Sequence, residues 1–213
     1  MRDLYGYYGD SYVTEEERYV FESDTRTLRI CGEGDMYYWC TGDGMGDIVF
    51  IALWETSKPE IKKIVVEEGV RTIGIGAFYG CMLAESIILP KSIRIIDRDA
   101  FTGCASLRSI DIPENVMLIN DRFLRCFGLE EINVSESNPY YYSRDGVLFS
   151  RDGTLLVYPP NKAGETYEVP EDTKNIARCA FLEAQHLEEV IMPEGFDGSK
   201  PAFIGEHWVD PQE

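Results

Sequence analysis

Glutamate is the residue with chemistry to offer that recurs most regularly. Glu130 and Glu131 open one short run, Glu165 and Glu168 fall in a second, and Glu188 and Glu189 open a third, with Asn133 two places beyond Glu131. Carboxylates grouped this way can coordinate a hard cation or face a basic surface. The cation reading lacks a loop: starting from Asp43, an EF-hand would need a ligand at Met45 and a glutamate at Trp54. The aromatic counterpart is Tyr140, Tyr141 and Tyr142, three consecutive rings that could make a platform for a sugar or a protein. For nucleophilic chemistry only Cys179 and His186 stand within reach of each other, and their positions fit scaffold better than a thiolate pair. Gly74 to Gly80 is not a dinucleotide fingerprint, and no phosphate loop, zinc spacing or serine elbow is present. The chain is therefore read as a non-enzyme with no cofactor and no metal.

What positions these residues is a repeat. Ala77, Phe78, Gly80 and Cys81 recur after 23 residues as Ala100, Phe101, Gly103 and Cys104. A third copy keeps Phe123 and Cys126, and a fourth keeps Ala180 and Phe181. After each marker comes an alternating run such as Leu107-Arg-Ser-Ile-Asp-Ile-Pro113, and such runs start at 61, 84, 107, 129, 164 and 187. A unit this short cannot bury its own apolar residues, so successive coils must stack around one core, as a solenoid. Alternation sends Ile110 and Ile112 inward and Asp111 outward. The Phe and Cys of the marker, on a short helical or turn-like return segment, are expected to form internal ladders. Between each Pro and the next Phe stands a second apolar pair, Val70 with Ile73, Ile93 with Ile96, and Val116 with Ile119.

The pattern Leu-x-x-Ile-x-Ile-Pro followed by x-x-Val-x-x-Ile-Gly-x-x-Ala-Phe-x-Gly-Cys, clearest from Ser109 to Phe123 and from Glu68 to Cys81, resembles the BspA-like leucine-rich repeat family over roughly residues 25 to 193. The resemblance implies an α/β, horseshoe-like, right-handed solenoid of about six coils, with short parallel strands on one face and short helical or turn segments on the other. It also implies an adhesion or interaction module, bacterial, secreted or at the cell surface. No apolar leader segment opens the sequence, which is expected either of a cytoplasmic form or of a chain whose leader has been removed.

Composition narrows the partners. Acidic residues outnumber basic 38 to 20, for a formal charge of −18, which repels nucleic acid and anionic membranes. The longest uncharged apolar run, Ile48 to Trp54, is far too short to cross a bilayer. Cys81, Cys104 and Cys126 occupy equivalent repeat positions, where three cannot pair without a remainder, so they are read as buried free thiols. Cys31 and Cys40 flank an aromatic segment and are either free or bridged.

Three regions follow: a cap over 1–60, the solenoid over 61–193, and a C-terminal cap or tail over 194–213. Tyr19 to Phe21 is expected to pair as a first strand. The step from 129 to 164 is 35 residues, about a dozen more than a coil needs, and Asn138 to Tyr158 reads as a hairpin inserted near 138–160, around Ser150-Arg-Asp-Gly-Thr154. If all strands lie side by side about 4.8 Å apart, neighbouring carboxylates in the last three repel by roughly 0.8 kcal/mol per pair even in water. Stability alone would not select that arrangement. The expected function is protein binding through the concave strand face, at Glu130, Glu131, Asn133, Glu165, Glu168, Glu188 and Glu189, or through the hairpin tyrosines Tyr140, Tyr141 and Tyr142. The partner is a protein with a basic surface; a glycan on the tyrosines, or a purely structural spacer, are the alternatives.

Overall fold

The structure is a computed structural model that describes residues 19–36, 40–42, 48–50 and 54–198, with 40–42 and 48–50 described by backbone alone. The tyrosine-rich start, the glycine loop at 43–47, the side chain of Cys40 and the end of the chain from 199 lie outside the described residues. Strand β1 (Tyr19–Glu22) folds back antiparallel on β2 (Thr27–Ile30), which puts Tyr19 to Phe21 in a strand as expected. There follow β3 (Gly34–Asp35), the antiparallel pair β4 (Cys40–Gly42) and β5 (Ile48–Phe50), and a 3-10 helix at Glu55–Glu60.

Each coil then contributes two short strands: β6 (Lys63–Val66) with β7 (Val70–Ile73), β8 (Ser86–Ile88) with β9 (Ile95–Ile96), and β10 (Ser109–Ile112) with β11 (Leu118–Ile119), before β12 (Glu131–Val134) opens the long coil. In the first set, β2, β6 and β8 pair in parallel, as do β10 and β12, with Ile64 facing Ile87 and Ile110 facing Ile132. The second set runs β3, β7, β9, β11, also in parallel. This second ladder is built on the Val–Ile pairs. Between the two sets the chain turns at proline, whose carbonyl accepts an N–H three residues on, as from Ile93 to Pro90 and from Val116 to Pro113, both at 3.3 Å. Proline's missing N–H ends one strand and its free carbonyl closes the turn toward the next.

The return segments are turns; among the described residues the only helix is the 3-10 turn at Glu55–Glu60. The marker explains why. Tyr79 and Cys81 close local turns on Gly76 and Phe78, but Gly76, Phe78 and Gly80 donate their N–H groups to Arg98, Ala100 and Thr102 of the next coil. N–H groups spent on a neighbouring coil are not available for an α-helix, which needs each of them four residues back.

The marker side chains stack as the repeat requires. Phe78, Phe101 and Phe123 lie 5.9 Å apart centroid to centroid at 13° and 12°, and Trp54 continues the stack above Phe78 at 5.6 Å. Cys81, Cys104 and Cys126 are free, buried thiols. Cys104 and Cys126 donate to the carbonyls of Phe78 and Phe101 one coil back, at 3.4 and 3.2 Å. Burial pushes the Cys81 thiol up to about 12 and Cys104 and Cys126 upward as well, so all three stay protonated and act as small apolar residues. Cys31 is also a free thiol.

The long coil holds a three-stranded meander, β13 (Tyr141–Arg144), β14 (Val147–Ser150) and β15 (Thr154–Val157), followed by β16 (Thr166–Glu168), β17 (Asn175–Ile176) and β18 (Glu189–Ile191). Its first turn is Asp145-Gly146, both at positive φ (52° and 76°), the two-residue turn that suits the twist of a hairpin. The second turn is the one expected at 151–153. β15 then pairs in parallel with β17 and so takes the second-strand place in its coil, with Tyr158 at the marker position, its N–H bonded to Ala180 at 2.7 Å. The meander is internal. β14 is buried on both faces: Leu148 packs into the core that runs from Leu28 to Val157, while Val147 and Phe149 pack into a second core with Tyr158, Phe181 and Met192. It forms the partition between two cores.

One coil is a residue short, with 22 residues from Phe101 to Phe123. Where Phe78 finds the carbonyl of Ala100, Phe101 instead donates its N–H to the Asp121 carboxylate at 2.7 Å, and Phe123 donates to the other oxygen. A side chain has replaced the carbonyl that the deletion removed. Asp121 is buried, and desolvation, with Asp99 adding to it, outweighs the backbone bonds and pushes its carboxyl up to about 7. Because the folded value lies above the unfolded 3.8, the folded protein binds the proton more tightly between them. This contribution to stability is complete below about pH 4 and fades as pH rises through 7. Urea unfolding of the parent and of Asp121→Asn across that window should show the parent losing ground to the variant, by on the order of a few kcal/mol. A difference between the two that does not change with pH would remove Asp121 as its source.

Candidate protein-binding faces

The exposed residues of the first strand set line up in columns one coil apart. In the leading column Lys62 Nζ meets Glu85 at 3.0 Å, and Arg108 meets Glu130 at 2.8 Å. Charge alternates from coil to coil there, and each exposed pair is worth about 0–1 kcal/mol. Glu131 faces Ser109, and Asn133, facing Asp111, donates to the Asp111 and Glu131 carboxylates, both at 3.3 Å.

Past β12 the glutamates do not continue as one ladder. The Asp145-Gly146 turn lies there: Ile132 donates its N–H to the Gly146 carbonyl at 2.8 Å. A Cβ on Gly146 would sit 2.7 Å from that of Glu131, so only glycine allows the approach. Arg144 anchors the turn through two bonds to Asp172, at 2.8 and 3.0 Å, and Lys162 reaches the Asp145 carbonyl. β16 pairs with β18, so Thr166 faces Glu189 and Glu168 faces Ile191. The expected three-strand run of repelling glutamates is thus corrected: the insertion separates β12 from β16, and like charges follow each other only where Glu188, its N–H bonded to the Glu165 carbonyl, succeeds Glu165. Two acidic patches result. In the first, Glu130 is paired and Glu131 bonded to Asn133; in the second, Glu165, Glu168, Glu188 and Glu189 are all exposed and their carboxylates have no partner among the described residues.

The three tyrosines part company. Tyr140 is exposed, whereas Tyr141 is buried and its hydroxyl accepts the Ile119 N–H at 3.1 Å. Tyr142 stacks on Phe149 at 5.2 Å and takes the Arg151 guanidinium over its ring at 5.3 Å; burial raises its phenol. A three-ring platform is not formed, because the successive residues Tyr141 and Tyr142 of β13 face opposite cores. Asn138, unnoticed in the sequence beyond its Asn-Pro step, holds the meander to the preceding coil. Cys179 and His186 engage different groups: the Arg122 guanidinium lies 3.8 Å from the thiol, and His186 Nε2 is 3.0 Å from Asn161 Oδ1. Among the described residues, no three His, Cys, Asp or Glu side chains converge as metal ligands, and no helix is long and apolar enough to cross a membrane.

A second lining was not anticipated. Outward residues of the second strand set, Arg71, Arg94 and Met117, border two adjoining concavities of about 430 and 480 Å³. The signal was available as the residue after each Val or Ile that opens the second apolar pair.

Short parallel strands repeated at each coil, with internal phenylalanine and cysteine ladders, define a leucine-rich-repeat solenoid. The repeats are of one kind: residues 56–145 match the BspA type leucine rich repeat region, in six copies, and this stretch is a repeat region of that type. Among solved structures the chain is similar to the pneumococcal vaccine antigen PcpA, with 28% identity and a TM-score of 0.61 over 66% of this chain and 36% of that one. It also resembles a leucine-rich repeat protein from Eubacterium ventriosum, with 19% identity and a TM-score of 0.52 over 85% of this chain and 59% of the other. The chain thus spans about a third of the first and under two thirds of the second. No curated protein matches it in sequence.

Proposed function

We propose that this solenoid is a non-catalytic protein-binding module of the adhesion kind, secreted or displayed on a cell surface, whose β16–β18 face receives a basic patch on its partner. Repeats of this family commonly serve protein interaction. The observation that carries the proposal is the set Glu165, Glu168, Glu188 and Glu189: four exposed carboxylates, on or just before two paired strands, with no partner among the described residues, in a molecule that pairs Glu85 and Glu130 on the preceding strands. Uncompensated charge of one sign costs stability and favours encounter with the opposite sign. A glycan surface has less support, since of the three tyrosines Tyr140 alone is exposed.

The test is affinity capture with the parent and with a Glu165→Lys, Glu188→Lys, Glu189→Lys variant, at low and high ionic strength. A partner held by the parent, released by salt and lost by the folded variant is the expected result. Equal capture by both would exclude this face.

A further inference from the structure

We propose that the groove bordered by Arg71, Arg94 and Met117 binds a second kind of ligand, an extended acidic peptide whose carboxylate is held by Arg94 and whose neighbouring apolar side chain rests on Met117 and Tyr140. Two adjoining concavities share Arg94 and Asn115 as a common wall. On one side stand Arg71 and Lys91 with Glu33; on the other, Met117, Pro139 and Tyr140 with Glu114. Arg71 lies 3.5 Å from Asp35, and Lys91 lies 3.4 Å from Glu114. Arg94, exposed between them, has no carboxylate partner among the described residues. In a chain with 38 acidic and 20 basic residues, a guanidinium left open beside two compensated cations is a charge available to an anion from outside.

Spacing and chemistry point to peptide. The Arg94 N–H bonds to the Arg71 carbonyl at 2.7 Å and the Met117 N–H to the Arg94 carbonyl at 2.8 Å, so the three side chains follow one another at the strand spacing. That step is about 4.8 Å, and an extended chain advances about 3.3 Å per residue with alternate side chains on one face. Same-face side chains of such a chain lie about 6.6 Å apart, more than the single step from Arg94 to Met117, so a carboxylate at residue i over Arg94 puts the side chain of residue i+2 past Met117, in the concavity that Met117 and Tyr140 line together. Met117 is 48% and Tyr140 47% exposed. An acidic sugar would use the Tyr140 ring and leave the thioether and the proline idle, while a nucleic acid would meet the repulsion of the whole molecule.

Short labelled peptides carrying Glu-x-Leu or Glu-x-Phe, each matched by its Gln version, measure this by fluorescence anisotropy. The parent should bind the Glu peptides about tenfold more tightly than the Gln ones, as a charge-assisted guanidinium contact implies. Arg94→Gln should abolish that preference, Met117→Ser should weaken both peptides, and the triple lysine variant of β16 and β18 should bind like the parent. Both test side chains are exposed, and circular dichroism checks that each variant is folded. Equal binding of Glu and Gln peptides, no binding of either, an unchanged Arg94→Gln, or loss of binding in the lysine variant would each overturn the proposal. Tighter binding of oligogalacturonate than of any peptide would overturn the peptide class.

Discussion

Asn138→Ala should destabilise the protein by about 3–5 kcal/mol, the scale of leaving several buried polar groups without partners. Asn138 is 1% exposed and uses its whole hydrogen-bonding capacity. Its Nδ2 donates to the Pro113 and Val116 carbonyls, both at 2.9 Å, and its Oδ1 accepts from Tyr140 and Tyr141 at 2.8 and 2.9 Å. One amide thus closes the turn of the preceding coil and starts β13. Alanine leaves the Val116 carbonyl and two N–H groups without this partner and strips the Pro113 carbonyl of the stronger of its two donors, the other being the Val116 N–H at 3.3 Å. Aspartate is the sharper test at neutral pH: its oxygens can still accept from Tyr140 and Tyr141, but the donor to Pro113 and Val116 becomes an acceptor aimed at two carbonyls, and a charge is buried. Asn138→Asp should therefore be at least as unstable as alanine at pH 7 and recover part of the loss in acid, when protonation restores one donor. Urea unfolding at both pH values measures this. A loss below about 1 kcal/mol in either variant, typical of an exposed polar substitution, would show that the meander is anchored elsewhere.

The period of the repeat was legible because apolar residues at fixed spacing admit few arrangements. Ile64, Ile87, Ile110 and Ile132 face inward as alternation requires, and the phenylalanines and cysteines stack. The second strand ladder was visible only as apolar pairs, since a strand as short as Ile95–Ile96 carries no alternation to detect. The turn conformation of the marker depends on where its N–H groups go, which is a property of the neighbouring coil. The candidate site was less legible still. Expecting glutamates on successive strands to be neighbours assumes that sequence order is spatial order, and the insertion breaks that order at Gly146. The Asp-Gly at 145–146 was in plain view as a hairpin signal, but the later Asp-Gly at 152–153 competed for the same reading, and both are used. Asp121 and Asn138 escaped notice because a polar residue in a turn and one standing in for a backbone carbonyl look alike until the missing partner is known.

Phe101→Ala should cost about 3–5 kcal/mol, the range for removing a buried phenylalanine and leaving a cavity. Phe101 is fully buried and is an inner rung of its stack, with a stacked ring on each side at 5.9 Å, Phe78 and Phe123, so its removal takes a ring neighbour from both. A solenoid is held together by nearest-neighbour contacts, and an ordinary one would let the damage stay local, with the far coils opening on their own terms. Here β14 opposes that. Leu148 belongs to the first core and Val147 and Phe149 to the second, so neither core can open without withdrawing a wall from the other. Hydrogen exchange at two amides distinguishes the cases: Phe78 N–H, bonded to Ala100 at 2.8 Å in the first core, and Tyr158 N–H, bonded to Ala180 at 2.7 Å in the second. In Phe101→Ala both should exchange faster by the same factor, at least about a hundredfold for a loss of this size. Acceleration at Phe78 alone would mean that the partition separates two independent folding units. Equal acceleration makes the inserted strand the element that joins six short coils into one cooperative structure.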